Sequence, residues 1–284
     1  YMKKKVVIFG CGFHGRAVFR KCISLKKKYE VICWVDNDNK KNNKSLFGKK
    51  IFKPENLKKI DYDLIILSGR NVDLQKKQIQ KITKVKKYIA WGNSQIKPQK
   101  KVIIQRDKSL KIILKYMINI LEKNKILYWA DSSALLTLCR KESLSIRSDF
   151  DISIDAKYLQ TIKSIFKSNK YFRFYKIITP SKKIKLFFES KNDTLEYEPA
   201  IVDICFKIFT KKRYVYNYGN LSKKYPKSFF VNFINYKHLG LIIKIPSFYK
   251  KYLIYLYGDW KKKKEFFNNK LIFKKKYLHQ PHII

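Results

Sequence analysis

The sequence predicts two folds in succession: an α/β unit built on a parallel sheet, then an α+β unit. Three observations predict it. The first hundred residues alternate continuous apolar runs with helical patterns, as a parallel sheet covered on both faces requires. A glycine-rich hexapeptide, "GCGFHG", joins the first apolar run to the first helix. Beyond residue 127, short strands carry acids among β-branched residues, above all in "SDFDISI".

In order, "KVVIFG" is a buried strand, Gly15 to Lys28 a helix, and "VICWVDND" a second strand. "YDLIILSG" is the third strand, followed by a polar helix over Val72 to Thr83 and a short strand "KYIAWG". "GNSQIKPQKK" is polar and contains Pro, as a linker does. The expected domains are therefore residues 1–97 and 108–284. "SLKIILKYMINILEKNK" has helical periodicity. Strands are expected near 150, 172, 186 and 202, before a helical, aromatic-rich end.

With 45% apolar and 15% aromatic residues in 284, a sizeable core is within reach and wholesale disorder is excluded. The net charge of +44 comes from 65 basic residues, of which eight are Arg and 57 Lys. Lysine is spread along the whole chain, whereas a dedicated nucleic-acid site favours clustered Arg. No specific nucleic-acid partner is expected; a peripheral contact with an anionic membrane face is compatible with the charge. Five scattered cysteines and four histidines offer no zinc spacing and no disulfide framework. The opening "YMKKKVVIFG" enters a strand with no signal-like apolar core, and no apolar run reaches membrane-spanning length. A cytoplasmic location, peripheral at most at the inner membrane face, is expected.

"GCGFHG" places Gly10, Gly12 and Gly15 in a Gly-x-Gly-x-x-Gly pattern between strand and helix. Gly10 allows a tight turn, Gly12 lets backbone approach a diphosphate, and Gly15 lets helix and strand pack closely. The helix start offers free N–H groups to phosphate, with His14 beside it. Asp36, ending the second strand, stands where an acid commonly bonds a ribose hydroxyl. These features read as a Rossmann-like nucleotide or nucleotide-sugar site, against a scaffold without a ligand. "VDND…GKKIFKPENL…YDLIILSGR" resembles the small Rossmann-like domain at the front of sugar acyltransferases and other glycan-modifying enzymes, over residues 3 to 95. The resemblance implies binding without hydride transfer.

In "SDFDISI", Asp149 and Asp151 are two residues apart, so on one strand face they repel. Either a divalent cation bridges them or lysines pair them. "LYWADSSALLTLCRKESL" reads as strand, small-residue turn and helix; "YEPAIVDICF" is a later strand carrying Asp203.

Together with the closing "IPSFYKKYLIYLYGDW", these segments resemble the LicD family over residues 110 to 265. That family comprises nucleotidyltransferase-fold transferases of the phosphocholine and ribitol-phosphate type. The resemblance implies an α+β nucleotidyltransferase-like domain in which Asp149, Asp151 and Asp203 hold Mg²⁺ or Mn²⁺ against donor phosphates. Asp203 is alternatively the base for the incoming hydroxyl. "LLTLCR" is similar to the family's Leu-Leu-Gly-x-x-Arg helix and places Arg140 near donor phosphate. Where the family has Gly-Gly or Gly-Thr, this chain has Asp131-Ser132-Ser133. Ser132 and Ser133 can still meet a phosphate, but Asp131 opposes anion binding unless a metal or lysine screens it.

The implied function is transfer of a phosphocholine, glycerol phosphate or ribitol phosphate group from a CDP-linked donor. The acceptor is a hydroxyl of a surface glycan or glycolipid, as in capsule or lipopolysaccharide biosynthesis, and CMP leaves. Two alternatives stand beside it: nucleotidyl transfer to RNA or a small molecule, and a non-catalytic nucleotide- or glycan-binding protein.

Overall fold

The structure, a computed structural model, describes residues 2–68, 72–83, 87–91, 100–146, 149–178, 184–194, 197–211, 213–218 and 220–262. Most of the expected linker, the Arg147–Ser148 pair and residues 263–284 lie outside the described residues. The chain divides near residue 98 into two compact units.

The first unit runs β1 (Lys4–Phe9), α1 (Phe13–Ser24), β2 (Tyr29–Val35), β3 (Ser45–Leu46), β4 (Lys49–Phe52), β5 (Leu64–Ser68), α2 (Val72–Ile82) and β6 (Tyr88–Trp91). The sheet order is β3-β4-β2-β1-β5-β6, parallel except for the β3–β4 pair. Strands are added outward from β1 first one way and then the other, so the order reverses between β1 and β5. That reversal is a topological switch point, the place beyond the strand ends where open α/β sheets take ligands. Successive residues of β1 alternate between two cores. Val6 and Ile8 pack with Val18, Phe19 and Trp34 on one face, and Val7 and Phe9 with Leu57, Leu67 and Ile79 on the other. Both faces are covered, which is why these strands carry continuous apolar runs.

The second unit opens with α3 (Lys100–Lys123), whose buried Leu110, Ile113, Leu114, Met117 and Leu121 form one apolar face. It continues through β7 (Tyr128–Ala130), α4 (Ser132–Cys139), β8 (Phe150–Asp155), α5 (Leu159–Ile165), β9 (Phe172–Ile178), β10 (Ile184–Ser190) and β11 (Ile201–Phe209). β12 (Tyr214–Asn217), β13 (Asn220–Pro226), β14 (Phe233–His238), β15 (Leu241–Pro246) and α6 (Tyr249–Tyr257) complete it. One seven-stranded sheet takes the order β13-β12-β11-β10-β9, with β8 lying along β11 and β7 along β8. β14 and β15 pair as a separate hairpin.

The expected strands near 150, 172, 186 and 202 are β8 to β11. The helical end is α6, but four strands precede it that the sequence reading did not anticipate. The β14–β15 hairpin turns at Leu239 and Gly240, both at positive φ (48° and 77°). That is the sign pattern of a primed two-residue turn, made here by Leu-Gly in place of the readable Asn-Gly.

β8 and β11 are parallel, with Asp151 opposite Asp203 and Ser153 opposite Cys205. Phe150, Ile152 and Ile154 of β8, and Val202, Ile204 and Phe206 of β11, are buried in the core. The alternate residues therefore share the other face: Asp151, Ser153 and Asp155 beside Asp203, Cys205 and Lys207. An apolar strand carries side-by-side acids because its two faces meet different surroundings.

Candidate metal centre and glycine loop

Asp149, Asp151 and Asp203 each place a carboxylate oxygen within 4.8 Å of the others. Asp149 directly precedes β8, so all three acids gather at the start of two adjacent parallel strands. Burial pushes the Asp151 carboxyl up to about 7, and the charges of Asp149, Asp203 and Asp131 add to the rise. The Ser133 hydroxyl, donating to Asp151 Oδ2 at 3.1 Å, works against it. A folded site that holds a proton on a carboxyl near neutrality is one that a divalent cation would relieve. The donor set is all oxygen, which fits a hard cation such as Mg²⁺ or Mn²⁺. The Cys205 thiol donates to Asp151 Oδ1 at 3.6 Å, and burial first, then the neighbouring acids, hold it protonated.

Asp131 sits directly behind this cluster and is 1% exposed. It caps α4, its Oδ1 accepting from the Ser132 amide at 2.7 Å and from the Tyr252 hydroxyl at 2.6 Å. Its Oδ2 accepts from the Ser153 hydroxyl at 2.6 Å and pairs with Lys207 Nζ at 2.7 Å. Lys207, 2% exposed, also donates to Asn217 Oδ1 at 2.7 Å and lies 4.4 Å from the centre of the Tyr225 ring. Burial raises the Asp131 carboxyl, yet the Lys207 charge and three hydrogen bonds hold it below its ordinary value. The lysine that Asp131 required is thus present, 76 positions further along the chain. Nothing in the sequence distinguished it from 56 others.

Ser132 adopts φ +47°, the left-handed region that favours glycine. Ser133 is bonded to Asp151 as described. Arg140 caps the far end of α4, and its guanidinium donates to the carbonyls of Trp260 (2.7 Å) and Lys262 (2.8 Å). That geometry ties α4 to the chain leaving α6 and does not join Arg140 to the acid cluster. Gly258, at φ +67°, donates to the Ile254 carbonyl and ends α6. The Tyr257–Gly258–Asp259 run stands at a helix terminus, and Tyr252 of the closing segment reaches Asp131. Tyr252 was not singled out in the sequence, where it is one of many aromatics near the end.

In the first unit, Gly10 has φ +97°, and a Cβ on Gly15 would stand 1.7 Å from the Gly10 carbonyl oxygen. Both positions require glycine. A Cβ on Gly12, the residue preceding α1, would meet nothing within 4 Å among the described residues, so its smallness serves no contact with them. Asp36 accepts from the Cys11 amide (2.8 Å) and thiol (3.0 Å) and from the Asp38 amide, and pairs with Lys41 at 3.6 Å. Burial pulls its carboxyl up, but these partners hold it below the ordinary value. Ser68, buried at the end of β5, donates to the Phe9 carbonyl, and Gln75 of α2 donates to the Ser68 carbonyl. Neither residue carries a motif by which the sequence could have shown it.

Residues 2–90 match the family model described as C2185-like, N-terminal. UDP-D-quinovosamine 4-dehydrogenase from Vibrio fischeri is 26% identical over 28% of this chain and 73% of that protein, with a TM-score of 0.25. The lincosamide antibiotic adenylyltransferase LnuA, in its lincomycin-bound form, is 16% identical over 53% of this chain and 87% of its own, with a TM-score of 0.33. No curated protein matches the chain. No helix among the described residues is long and apolar enough to cross a membrane.

Proposed function

We propose that the second unit transfers a phosphorylated alcohol from a CDP-linked donor to a hydroxyl of a surface glycan or glycolipid, releasing CMP. The observation that carries it is the gathering of Asp149, Asp151 and Asp203, with carboxylate oxygens within 4.8 Å of one another. The resemblance to the LicD family supports the donor and acceptor classes. Asp149, Asp151 and Asp203 would hold Mg²⁺ or Mn²⁺, which when bound neutralises charge on a diphosphate. The Ser132–Ser133 turn at the start of α4 then orients donor phosphate, and Asp203 is the alternative acceptor of the proton from the incoming hydroxyl. The net charge of +44 favours a peripheral position at an anionic membrane face, where a glycolipid acceptor would lie.

The first unit is read as a nucleotide or nucleotide-sugar site at Gly10, Gly12, Gly15 and Asp36, without hydride transfer. Its test is Gly12→Val, which should abolish nucleotide-sugar binding while leaving the melting temperature in place. Unchanged affinity would reduce the loop to scaffold.

The experiment for the second unit is incubation of the full chain with CDP-choline, CDP-glycerol and CDP-ribitol, an acceptor glycan and Mg²⁺. CMP release that depends on Mg²⁺ is expected with one of them. Pyrophosphate release from a nucleoside triphosphate, with no CMP from any CDP-alcohol, would instead assign nucleotidyl transfer.

A further inference from the structure

We infer that Lys207 is a positioning residue: through Asp131 it fixes the Ser132–Ser133 turn, and through Ser133 it orients the carboxylate of Asp151. The inference deepens the metal-site reading above and rests on it for its second half. The chain of contacts is continuous. Lys207 Nζ holds Asp131 Oδ2 at 2.7 Å; Asp131 Oδ1 holds the Ser132 amide at 2.7 Å; Ser133 Oγ donates to Asp151 Oδ2 at 3.1 Å. Tyr252 adds a 2.6 Å bond to the same Asp131 oxygen that caps the helix, fixing the carboxylate from the other side.

Two features argue that this is more than packing. A buried ion pair is a poor source of stability, because desolvation offsets its attraction, and apolar replacements are often neutral or better. The pair also stands against a turn that needs holding. Ser132 has φ +47°, a conformation a non-glycine residue adopts at a cost. Here the Asp131 cap holds that turn, and Lys207, with the Ser153 and Tyr252 hydroxyls, fixes the Asp131 carboxylate in place. The pair thereby anchors, through the Asp131 cap, a backbone turn that Ser132 adopts at a cost.

The test uses the full-length chain and two readouts, amide hydrogen exchange without metal and Mn²⁺ affinity. Lys207→Met should raise exchange at the Ser132 to Ala134 amides at least tenfold, while the Ile152 and Ile154 amides of β8 stay protected. It should also weaken Mn²⁺ binding about tenfold. Ser133→Ala should weaken Mn²⁺ binding without loosening the turn, and the double variant should bind no worse than the weaker single one, because both act on one path. A folded Lys207→Met protein with unchanged turn exchange and unchanged Mn²⁺ affinity would overturn the inference, as would fully additive effects. Should Lys207→Met fail to fold, Tyr252→Phe takes its place, with at least threefold changes expected in both readouts and no change contradicting the inference. If the wild type binds no Mn²⁺, the metal reading falls. The exchange comparison then decides alone whether Lys207 holds the turn.

Discussion

The glycine loop of the first unit and the acid cluster of the second are both built at strand ends, yet they treat charge in opposite ways. In the loop, Asp36 is met by the Cys11 amide and thiol, the Asp38 amide and Lys41, and its carboxyl is held below the ordinary range. In the cluster, burial and three neighbouring acids push Asp151 the other way, up to about 7. The difference separates a site that is internally satisfied from one whose electrostatics ask for a cation. It also shows how adjacent carboxylates can differ. Asp131, 20 residues before Asp151, is the more deeply buried of the two, yet Lys207 holds its carboxyl below the ordinary value.

The comparison breaks most decisively at Asp151. Asp151→Asn should cut turnover roughly a thousandfold or more, because the ligand set loses one of three charges. In EDTA its melting temperature should equal or exceed that of the wild type, since one source of repulsion is gone. A variant melting several degrees lower in EDTA would make the acids an ordinary salt-bridged set.

A smaller effect is expected from pH. The folded Asp151 carboxyl lies above its unfolded value of 3.8, so the folded state keeps its proton longer. Its contribution to metal-free stability is fully present below about pH 4 and is lost as pH rises towards 7. The loss should be on the order of a few kcal/mol and absent in Asp151→Asn. Denaturant titrations in EDTA at pH 5 and pH 8 check this; parallel pH dependence in both proteins would count against the charge cluster.

In the loop, Gly15→Ala should destabilise the first unit by about 2 kcal/mol or more, because the new Cβ meets the Gly10 carbonyl. Thermal melts of this variant and Gly12→Val should separate a glycine the fold needs from one left open for a ligand. The smallest effect belongs to Ser132→Gly, which should stabilise the second unit by about 1 kcal/mol by relieving its positive φ. A denaturant midpoint that does not rise would show that the Asp131 cap already removes the cost.

Much of this was legible from residue order alone. The two-residue spacing in "SDFDISI" singled out Asp149 and Asp151 as a pair, and the strand–glycine–helix pattern located the loop, because both signals are local. The Asp131–Lys207 pair was illegible: its partners are 76 residues apart, and one buried lysine looks like any of 57 in the sequence. The partners of Arg140 were illegible for a related reason. Helical spacing places it at the end of α4, but only the fold shows its guanidinium bound to the Trp260 and Lys262 carbonyls. Strands β12 to β14 escaped notice because their Lys-, Tyr- and Asn-rich runs break clean alternation, and the apolar β15 is joined to β14 by Leu-Gly in place of a readable hairpin turn.

The central claim is that Asp149, Asp151 and Asp203 form one cation site, and calorimetric titration of Mn²⁺ into the wild-type chain at pH 8 tests it most directly. One saturable site per chain is expected, lost or weakened at least a hundredfold in each of Asp149→Asn, Asp151→Asn and Asp203→Asn. No saturable binding by the wild type, or binding that survives all three substitutions, would contradict it.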